Sequence, residues 1–158
     1  MKIDEIDRNI LQLLQEDSKL NINSLSEKLN LTKTPVYERI KRLENEGVIK
    51  QYVAIVNEEL IFGGMFVFCS VSLESQKLSE IQKFKEEIKN LEEIKECYLM
   101  GGTNDFLLKV HVKDLKEYHH FSSGKLAALS NVSQIKSTFV LETIKKSHAI
   151  TIPSLQKG

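Results

Sequence analysis

The chain has 158 residues, of which 41% are hydrophobic and 28% charged, and its formal net charge is zero. This composition is typical of a globular protein, and the length allows one ordinary domain or two small ones, whose small cores favour further burial between subunits. A zero net charge argues against a protein that coats nucleic acid through a broad basic excess, so any DNA contact must depend on locally placed cations. No apolar run approaches the roughly 18 residues that span a membrane, and no secretory signal follows Met1, so a cytoplasmic protein is expected.

Apolar residues at helical spacing predict three helices in the first fifty residues. The first covers about 4–16 and begins at Asp4, a favourable N-cap, and the second covers about 23–29 with Asn23 as its cap. The third covers about 32–46 and carries a proline in its first turn, where the missing N–H is not needed. Two helices joined by a short turn, with an earlier helix packed across them, form a helix-turn-helix. Residues after the third helix predict a strand at 48–56, which supplies either a small wing or a linker strand.

The second half of the chain alternates strands and helices. Before it, residues 57–64 are predicted as a hinge that ends in two glycines. The apolar spacing then predicts strand, helix, strand, strand, helix and strand, in that order, at 65–73, 78–91, 94–100, 106–112, 114–129 and 135–144. Leu78 and Leu115 are among the helical side chains expected to face the core. The order βαββαβ predicts a ferredoxin-like α+β sandwich behind the N-terminal winged helix-turn-helix.

The third predicted helix has one apolar and one polar side. Val36, Ile40 and Leu43 fall within about 60° of one another on a helical wheel and are expected to face the core. The opposite side offers short polar groups for base edges near its start and cations for phosphates further along. The predicted DNA-binding residues are Lys33, Thr34, Pro35, Tyr37, Glu38, Lys41, Arg42 and Lys50.

The same polarity is also found in an ordinary solvated surface helix, so this helix alone does not decide between the two interpretations. Five cations outnumber only three carboxylates across 33–50. The turn before the helix and the predicted strand after it favour DNA binding. Arg39 lies beside the apolar stripe and is expected to be structural, paired with a carboxylate.

A glycine-containing loop between two predicted strands is the candidate site for a small molecule. Consecutive glycines let backbone N–H groups approach a carboxylate, and Asp105 can accept hydrogen bonds from an ammonium group, so the loop offers both charges that a zwitterion needs. The alternative is an ordinary turn in which Asp105 bonds the backbone of its own loop. Two hydroxyls on the last strand add polar groups to the candidate set. The predicted effector-binding residues are Met100, Gly101, Gly102, Thr103, Asn104, Asp105, Ser137 and Thr138.

No pattern in the sequence indicates catalysis or a metal centre. Cys69 and Cys97 lie in predicted strands without CxxC spacing and are expected to be buried reduced thiols. His119 and His120 are adjacent on a predicted helix and point about 100° apart, which is poor geometry for joint ligation. No nucleophile–base arrangement or phosphate loop is recognisable. We therefore expect neither an enzyme nor a cofactor, apart from an amino-acid effector.

Three stretches of the chain resemble the Lrp/AsnC family of transcriptional regulators, the feast/famine regulators. They are 3–11, which is similar to the family's opening, 29–49, which is similar to its recognition region, and 102–108, which is similar to its effector-loop signature. The resemblance runs in order over essentially the whole chain.

The resemblance implies a homodimer with paired helix-turn-helix modules on double-stranded DNA, assembled further into tetramers or octamers through the βαββαβ domains. It also implies an amino-acid effector bound between those domains, with Gly102 and Asp105 as pocket residues and Ser137 in the place of a common threonine. Gly101 departs from the usual polar residue. The implied domains are a winged helix-turn-helix at 1–50, a linker strand and hinge at 51–64, and an effector-binding and oligomerisation domain at 65–158. A nucleoid-associated cytoplasmic location follows.

Two other functions are compatible with parts of the pattern. One is an enzyme built on the ferredoxin-like domain, which would need a constellation of acid, base or nucleophile. The other is a metabolite-binding module whose N-terminal helices contact protein instead of DNA.

Overall fold

A computed structural model describes residues 3–61 and 63–153. Within them the chain divides into two compact units, one formed by 3–55 with 144–153 and the other by Val56–Thr143. None of the helices in these ranges is long and apolar enough to cross a membrane.

Helix α1 spans Glu5–Glu16 and begins at Asp4, as predicted. Asp4 Oδ1 accepts a hydrogen bond from the Asp7 N–H at 2.8 Å, and Asp7 Oδ2 accepts one from the Asp4 N–H at 3.1 Å. This reciprocal pair is a capping box, which satisfies two N–H groups that a helix start leaves without intrahelical partners. Ile10 and Leu11 of the same helix are buried in the core of the first unit.

Helix α2 spans Ile22–Leu29 and starts one residue earlier than predicted. Its cap is Asn21, whose Oδ1 accepts from the Ser24 N–H at 3.0 Å, and the predicted cap Asn23 already lies in the first turn. The backbone decides this, because a cap residue must be extended and Asn21 has φ −80 and ψ 167. Asn30 ends the helix in the left-handed conformation, as predicted.

Helix α3 spans Lys33–Asn45 and places Val36, Ile40 and Leu43 in the core of the first unit, which confirms the predicted apolar side. Gly47 follows the helix with φ +70 and turns the chain away from the helix axis. Helices α1, α2 and α3 together form the predicted helix-turn-helix unit.

A buried carboxylate joins α1 to α3. The side chain of Asp7 is 0% exposed, and its two oxygens accept from Arg39 Nη1 at 2.8 Å and from Arg42 Nη2 at 2.5 Å. Arg39 Nη1 also reaches Asp4 Oδ2 at 2.6 Å. Burial alone would raise the pKa of the Asp4 carboxyl, but hydrogen bonds from the Asp7 N–H and from Arg39 outweigh it and lower this pKa below its ordinary value. Arg39 is therefore structural and paired with carboxylates, as expected.

The stretch after α3 differs from the prediction. The described residues 48–57 contain no strand. At the start of this stretch the N–H groups of Val48 and Ile49 both donate to the Leu43 carbonyl and fold the chain back onto the helix end. Val48 and Ile49 pack against the core of the first unit. The predicted hinge at 57–64 contains a four-residue helix, α4, at Glu58–Ile61.

Residues 144–153 also pack in the first unit, although the predicted boundary placed them with the sensing domain. Ile152 packs against the helix-turn-helix core. Gln15 of α1 forms two hydrogen bonds with the backbone of Ile150, accepting from its N–H at 2.7 Å and donating to its carbonyl at 3.2 Å. Sequence periodicity does not reveal a contact of this kind, because a single glutamine side chain binds a peptide group of an irregular segment.

The second unit is the predicted βαββαβ arrangement. Four strands in the described part of this unit form one antiparallel sheet in the order β2-β3-β1-β4. The elements are β1 Met65–Leu73, α5 Leu78–Ile88, β2 Ile94–Leu99, β3 Phe106–Val112, α6 Leu115–His120 continued by a π-helical segment at Phe121–Leu126, and β4 Val132–Phe139.

Strict alternation on the two central strands separates a core face from an open face. Four residues of β1 and four of β3 are buried beneath the helices, namely Val67, Cys69, Val71, Leu73, Phe106, Leu108, Val110 and Val112. Leu78 and Leu115, expected in this core, are instead 83% and 63% exposed. Each is the first residue of its helix and lies ahead of the turn that packs against the sheet, where Phe84 and Tyr118 are buried.

Loss of the Asp7 carboxylate should destabilise the first unit selectively. Asp7→Ala removes the acceptor for two guanidinium groups, and we expect a loss of about 3 kcal/mol in the free energy of unfolding of that unit. Urea denaturation followed by circular dichroism, with hydrogen exchange to assign the transition, measures it. Glu5→Ala, in the same turn but exposed, is the matched control. Equal stability of the two variants would contradict the proposed importance of Asp7.

Candidate DNA-binding surface and effector loop

The first turns of α3 present an exposed polar surface. Lys33, Thr34, Tyr37 and Glu38 are exposed, with Tyr37 at 50%, and Pro35 is half-buried beside them. Among the described residues, no ion pair or side-chain hydrogen bond involves Lys33 or Glu38. These exposed side chains at the start of α3 are the ones predicted to lie nearest to the floor of a DNA groove, and an external partner can reach them.

The cations further along α3 already have partners within the protein. Lys41 Nζ contacts Glu44 Oε2 at 2.7 Å and lies 5.8 Å from the centre of the Tyr37 ring. The other Glu44 oxygen accepts from the Tyr52 hydroxyl at 3.0 Å. Desolvation and this contact raise the pKa of Tyr52 to about 12, so its hydroxyl remains a donor at neutral pH. Lys41 keeps 49% of its side chain exposed and remains within reach of a phosphate.

The Arg42 side chain has one buried partner and is also partly exposed. Its guanidinium binds the buried Asp7, yet 42% of its side chain remains exposed. Because the guanidinium group carries five N–H donors, a contact with Asp7 leaves donors for a second acceptor. The sequence pattern predicted Arg42 as a DNA contact and did not indicate its ion pair with Asp7. The capping position of Asp7 at the start of α1 explains that, because a first-turn carboxylate is ordinarily a surface residue.

Six of the eight predicted effector residues form the loop between β2 and β3, in which 100–103 are exposed and Asn104 and Asp105 are half-buried. Met100 is 45% exposed, and an added Cβ at Gly101 or Gly102 would meet nothing within 4 Å. The loop is closed by the Met100 N–H, which donates to the Asp105 carbonyl at 2.8 Å. Its tip therefore carries peptide groups that a ligand or another chain can approach closely.

Asp105 holds the loop against the end of β1. Its Oδ2 accepts from the Leu73 N–H at 2.8 Å, and its own N–H donates to the Val71 carbonyl at 3.0 Å. Asn104 adds a contact of 3.4 Å to the Ser72 hydroxyl. Asp105 thus has a structural role within one chain, while its Oδ1 forms no hydrogen bond with any described residue.

The other two predicted effector residues lie on a different strand from the loop, and their side chains point to opposite faces of the sheet. Ser137 and Thr138 lie on β4, which pairs with β1, whereas the loop leads into β3 on the other side of β1. Consecutive strand residues point to opposite faces of a sheet. Ser137 faces the helices, where its hydroxyl bonds that of Tyr118, and Thr138 therefore faces the open side. One chain does not gather all eight residues around one cavity.

Both cysteines are free; Cys69 is buried, as predicted, whereas Cys97 is only half-buried. Burial raises the pKa of each thiol. Cys69 Sγ lies 3.3 Å from the Tyr118 hydroxyl. Within the described ranges, no group of three histidine, cysteine or carboxylate side chains could hold a metal ion.

Two family models together match most of the chain. Residues 3–50 match a family described as a winged helix-turn-helix DNA-binding domain, and 66–150 match one described as the Lrp/AsnC ligand binding domain. An exposed recognition helix in one unit and a ligand-binding βαββαβ fold in the other define the class of two-domain DNA-binding transcriptional regulators. Within that class, the chain belongs to the Lrp/AsnC family.

Relatives and solved structures agree with this assignment. The chain is 38% identical over 143 residues to the Bkd operon transcriptional regulator of Pseudomonas aeruginosa, covering 90% of this chain and 94% of the relative. It is 35% identical over 150 residues to the leucine-responsive regulatory protein of Escherichia coli, covering 95% and 92%. Its fold is similar, with a TM-score of 0.88 and 30% identity, to a transcriptional regulator of Neisseria meningitidis in complex with L-Met, covering 96% and 97%. These relatives are named as regulators.

Lys33→Ala should weaken DNA binding through one lost phosphate or base contact. We expect the slope of log K against log salt to fall by about one unit, with a loss of affinity of roughly fivefold at moderate salt. Fluorescence anisotropy at several salt concentrations measures both quantities. Lys83→Ala removes the same charge from the exposed side of α5 and serves as the control. An unchanged salt slope for Lys33→Ala would contradict its placement at DNA.

Proposed function

We propose that this chain is a sequence-specific transcriptional regulator that binds double-stranded DNA as a homodimer or higher oligomer and responds to an amino acid. The exposed start of α3, where Lys33 and Glu38 form no ion pair with any described residue, is the observation that supports it most directly. It joins a family assignment that covers both units of the chain. The amino-acid response is supported by the similar Neisseria regulator, whose structure is a complex with L-Met.

In this proposal α3 enters the major groove by its first turns. Thr34 and Glu38 offer hydroxyl and carboxylate groups to base edges, and Lys33 and Tyr37 flank them. Lys41, Lys50 and the outer side of Arg42 contact phosphates, which fix the register of the helix on the duplex. Pro35 presets the backbone of the first helical turn. Two such helices in a dimer would read half-sites about 34 Å apart, or a multiple of that distance.

The proposed effector site combines the β2–β3 loop with residues of another subunit. Peptide N–H groups at Gly101, Gly102 and Thr103 would bind the carboxylate of the amino acid, and Asp105 Oδ1 its ammonium group. Met100 and Asn104 border the loop. Thr138 lies on the open face of the sheet. Ser137 lies on the helical face and would influence the effector site through its hydrogen bond with Tyr118. The effector shifts the balance between assemblies only to the extent that it binds one of them more tightly.

The open face of the sheet is the proposed surface for dimerisation. On β1 and β3 it carries Phe66, Phe68, Leu107 and His111, with Lys109 Nζ 5.0 Å from the Phe66 ring centre. The centres of the Phe66 and His111 rings lie 4.7 Å apart. A second copy of the chain would bury these rings, which supplies the additional burial that a small unit needs. Cytoplasmic association with the nucleoid follows from the proposed DNA binding.

Catalysis is the alternative that we do not favour. Tyr118, Cys69 and Ser137 form a hydrogen-bonded group, but burial raises the pKa values of the phenol and the thiol and leaves no base among them. Incubation of the pure protein with amino acids should therefore give no turnover.

The deciding experiment measures binding to DNA from upstream of the protein's own gene, against random DNA, in a salt titration with a panel of amino acids. Specific, salt-sensitive binding that one amino acid changes would support both parts of the proposal. Specific binding that no amino acid changes would remove the effector, and no preference over random DNA would favour a protein-contact module. Charge reversal at Arg42 is unsuitable as a test, because it would also break the contact with Asp7.

Gly102→Val should abolish the amino-acid response and leave the fold intact. An added Cβ at this position meets nothing within 4 Å in one chain, so we expect the larger side chain to clash with a ligand or another subunit and not with its own chain. We expect unchanged DNA affinity without effector and at least a tenfold weaker effector response by the same anisotropy assay. Gly124→Ala, on the π-helical segment of the same unit, is the control. A full response from Gly102→Val would exclude the loop as the effector site.

Phe68→Glu should prevent dimerisation through the sheet. A carboxylate at this position would lie in the proposed interface, and its cross-strand neighbour Lys109 already contacts Glu96 at 2.7 Å, so burial of the added charge is costly. Sedimentation analysis should show a monomer, whereas Ser133→Glu at an exposed position near the start of β4 should leave the assembly unchanged. A Phe68→Glu variant that sediments like the unaltered chain would move the interface elsewhere.

A further inference from the structure

Two separate stretches of the chain form the first unit. After the second unit ends at Thr143, the described residues 144–153 rejoin the unit formed by 3–55. This C-terminal segment (residues 144–153) has no regular secondary structure. Because it has no backbone ladder of its own, its contacts with side chains of the first unit hold it in place.

Gln15 provides the polar part of that contact. Its side-chain amide both accepts from and donates to the peptide groups of Ile150, at 2.7 and 3.2 Å, as an adjacent strand would. The Ile150 side chain itself is 73% exposed, so the glutamine binds the backbone and not the residue type. Because the Gln15 side chain pairs with both the N–H and the carbonyl of Ile150, it fixes the position of this residue along α1.

Ile152 provides the apolar part. It packs against the cluster of the helix-turn-helix core that includes Ile10 of α1 and Val36 of α3. By contrast, Ile144, at the other end of the segment, is 84% exposed. The segment is thus attached at its far end, over 150–152, and its first residues are not packed in the same way.

The helix that receives the segment is also the helix that positions α3. Gln15 lies near the end of α1, while Asp7, in its first turn, binds Arg39 and Arg42 of α3. A rigid helix transmits a displacement of one end to the other. The contacts of the C-terminal segment can therefore influence the recognition helix without touching DNA.

We propose that Gln15 and Ile152 are positioning residues for DNA recognition, through which the C-terminal segment fixes α1 and, by way of Asp7, orients α3. The role rests on the proposed DNA binding. A disoriented α3 loses base contacts, which need accurate geometry, before it loses phosphate contacts. Damage to the segment should hence lower the affinity for the specific site more than the affinity for random DNA.

The test compares full-length variants in matched pairs. Gln15→Ala is paired with Gln12→Ala, because Gln12 borders the same groove but, among the described residues, its side chain bonds only Glu16, at 3.5 Å. Ile152→Ala is paired with Ile144→Ala. Hydrogen exchange without DNA reports whether the segment is docked, because the Ile150 N–H is protected only while Gln15 accepts from it. Anisotropy with specific and random DNA reports recognition.

We expect Gln15→Ala and Ile152→Ala to accelerate exchange at Ile150 and to lower the ratio of specific to random affinity about three- to tenfold, with the salt slope unchanged. The control variants should match the unaltered chain in both assays. Faster exchange with an unchanged affinity ratio would overturn the positioning role. Exchange equal to that of the controls would overturn the docking itself, whereas failure of the unaltered chain to prefer any DNA would instead refute the proposed function on which the role rests.

Discussion

The first unit depends on one fully buried carboxylate. Asp7 closes the capping box of α1 and at the same time accepts from Arg39 and Arg42 of α3. A buried charge is costly unless its lone pairs are satisfied, and here both oxygens have charged donors. Neither helix can rotate or slide along the other without breaking these contacts. The orientation of the recognition helix is therefore set electrostatically as well as by the packing of Val36, Ile40 and Leu43.

That arrangement changes how the cations of α3 are used. Arg39 is committed to carboxylates, Arg42 is shared, and Lys41 pairs with Glu44. Few cations of α3 thus remain wholly available for phosphates. The chain as a whole offers no compensating basic excess, because its formal net charge is zero. A single unit of this kind should bind DNA weakly at physiological salt. The proposed assembly of several units on one DNA would raise the affinity, because each further unit would bind intramolecularly.

Sequence patterns predicted elements wherever one local rule decided the outcome. Strict alternation placed β1 and β3, and the apolar stripe of α3 identified its buried side. Predictions were wrong where two rules competed: Leu78 and Leu115 fit the helical period but precede the first packed turn, and 48–56 has strand composition but no partner strand within the described residues. The roles of Asp7 and Gln15 could not be predicted, because each depends on residues 32 or more positions away along the chain.

The hydrogen-bonded group beneath α6 has a consequence for what the second unit can sense. Burial and the nearby thiol raise the pKa of Tyr118 to about 12, and burial raises that of Cys69 as well. Both side chains therefore stay protonated from acidic to mildly alkaline solution, and Ser137 does not titrate in that range. A thiol held neutral is also a poor nucleophile towards oxidants. The junction between helix α6 and strands β1 and β4 therefore keeps these hydrogen-bonding groups neutral over this pH range, so acidity alone does not alter the contacts among them.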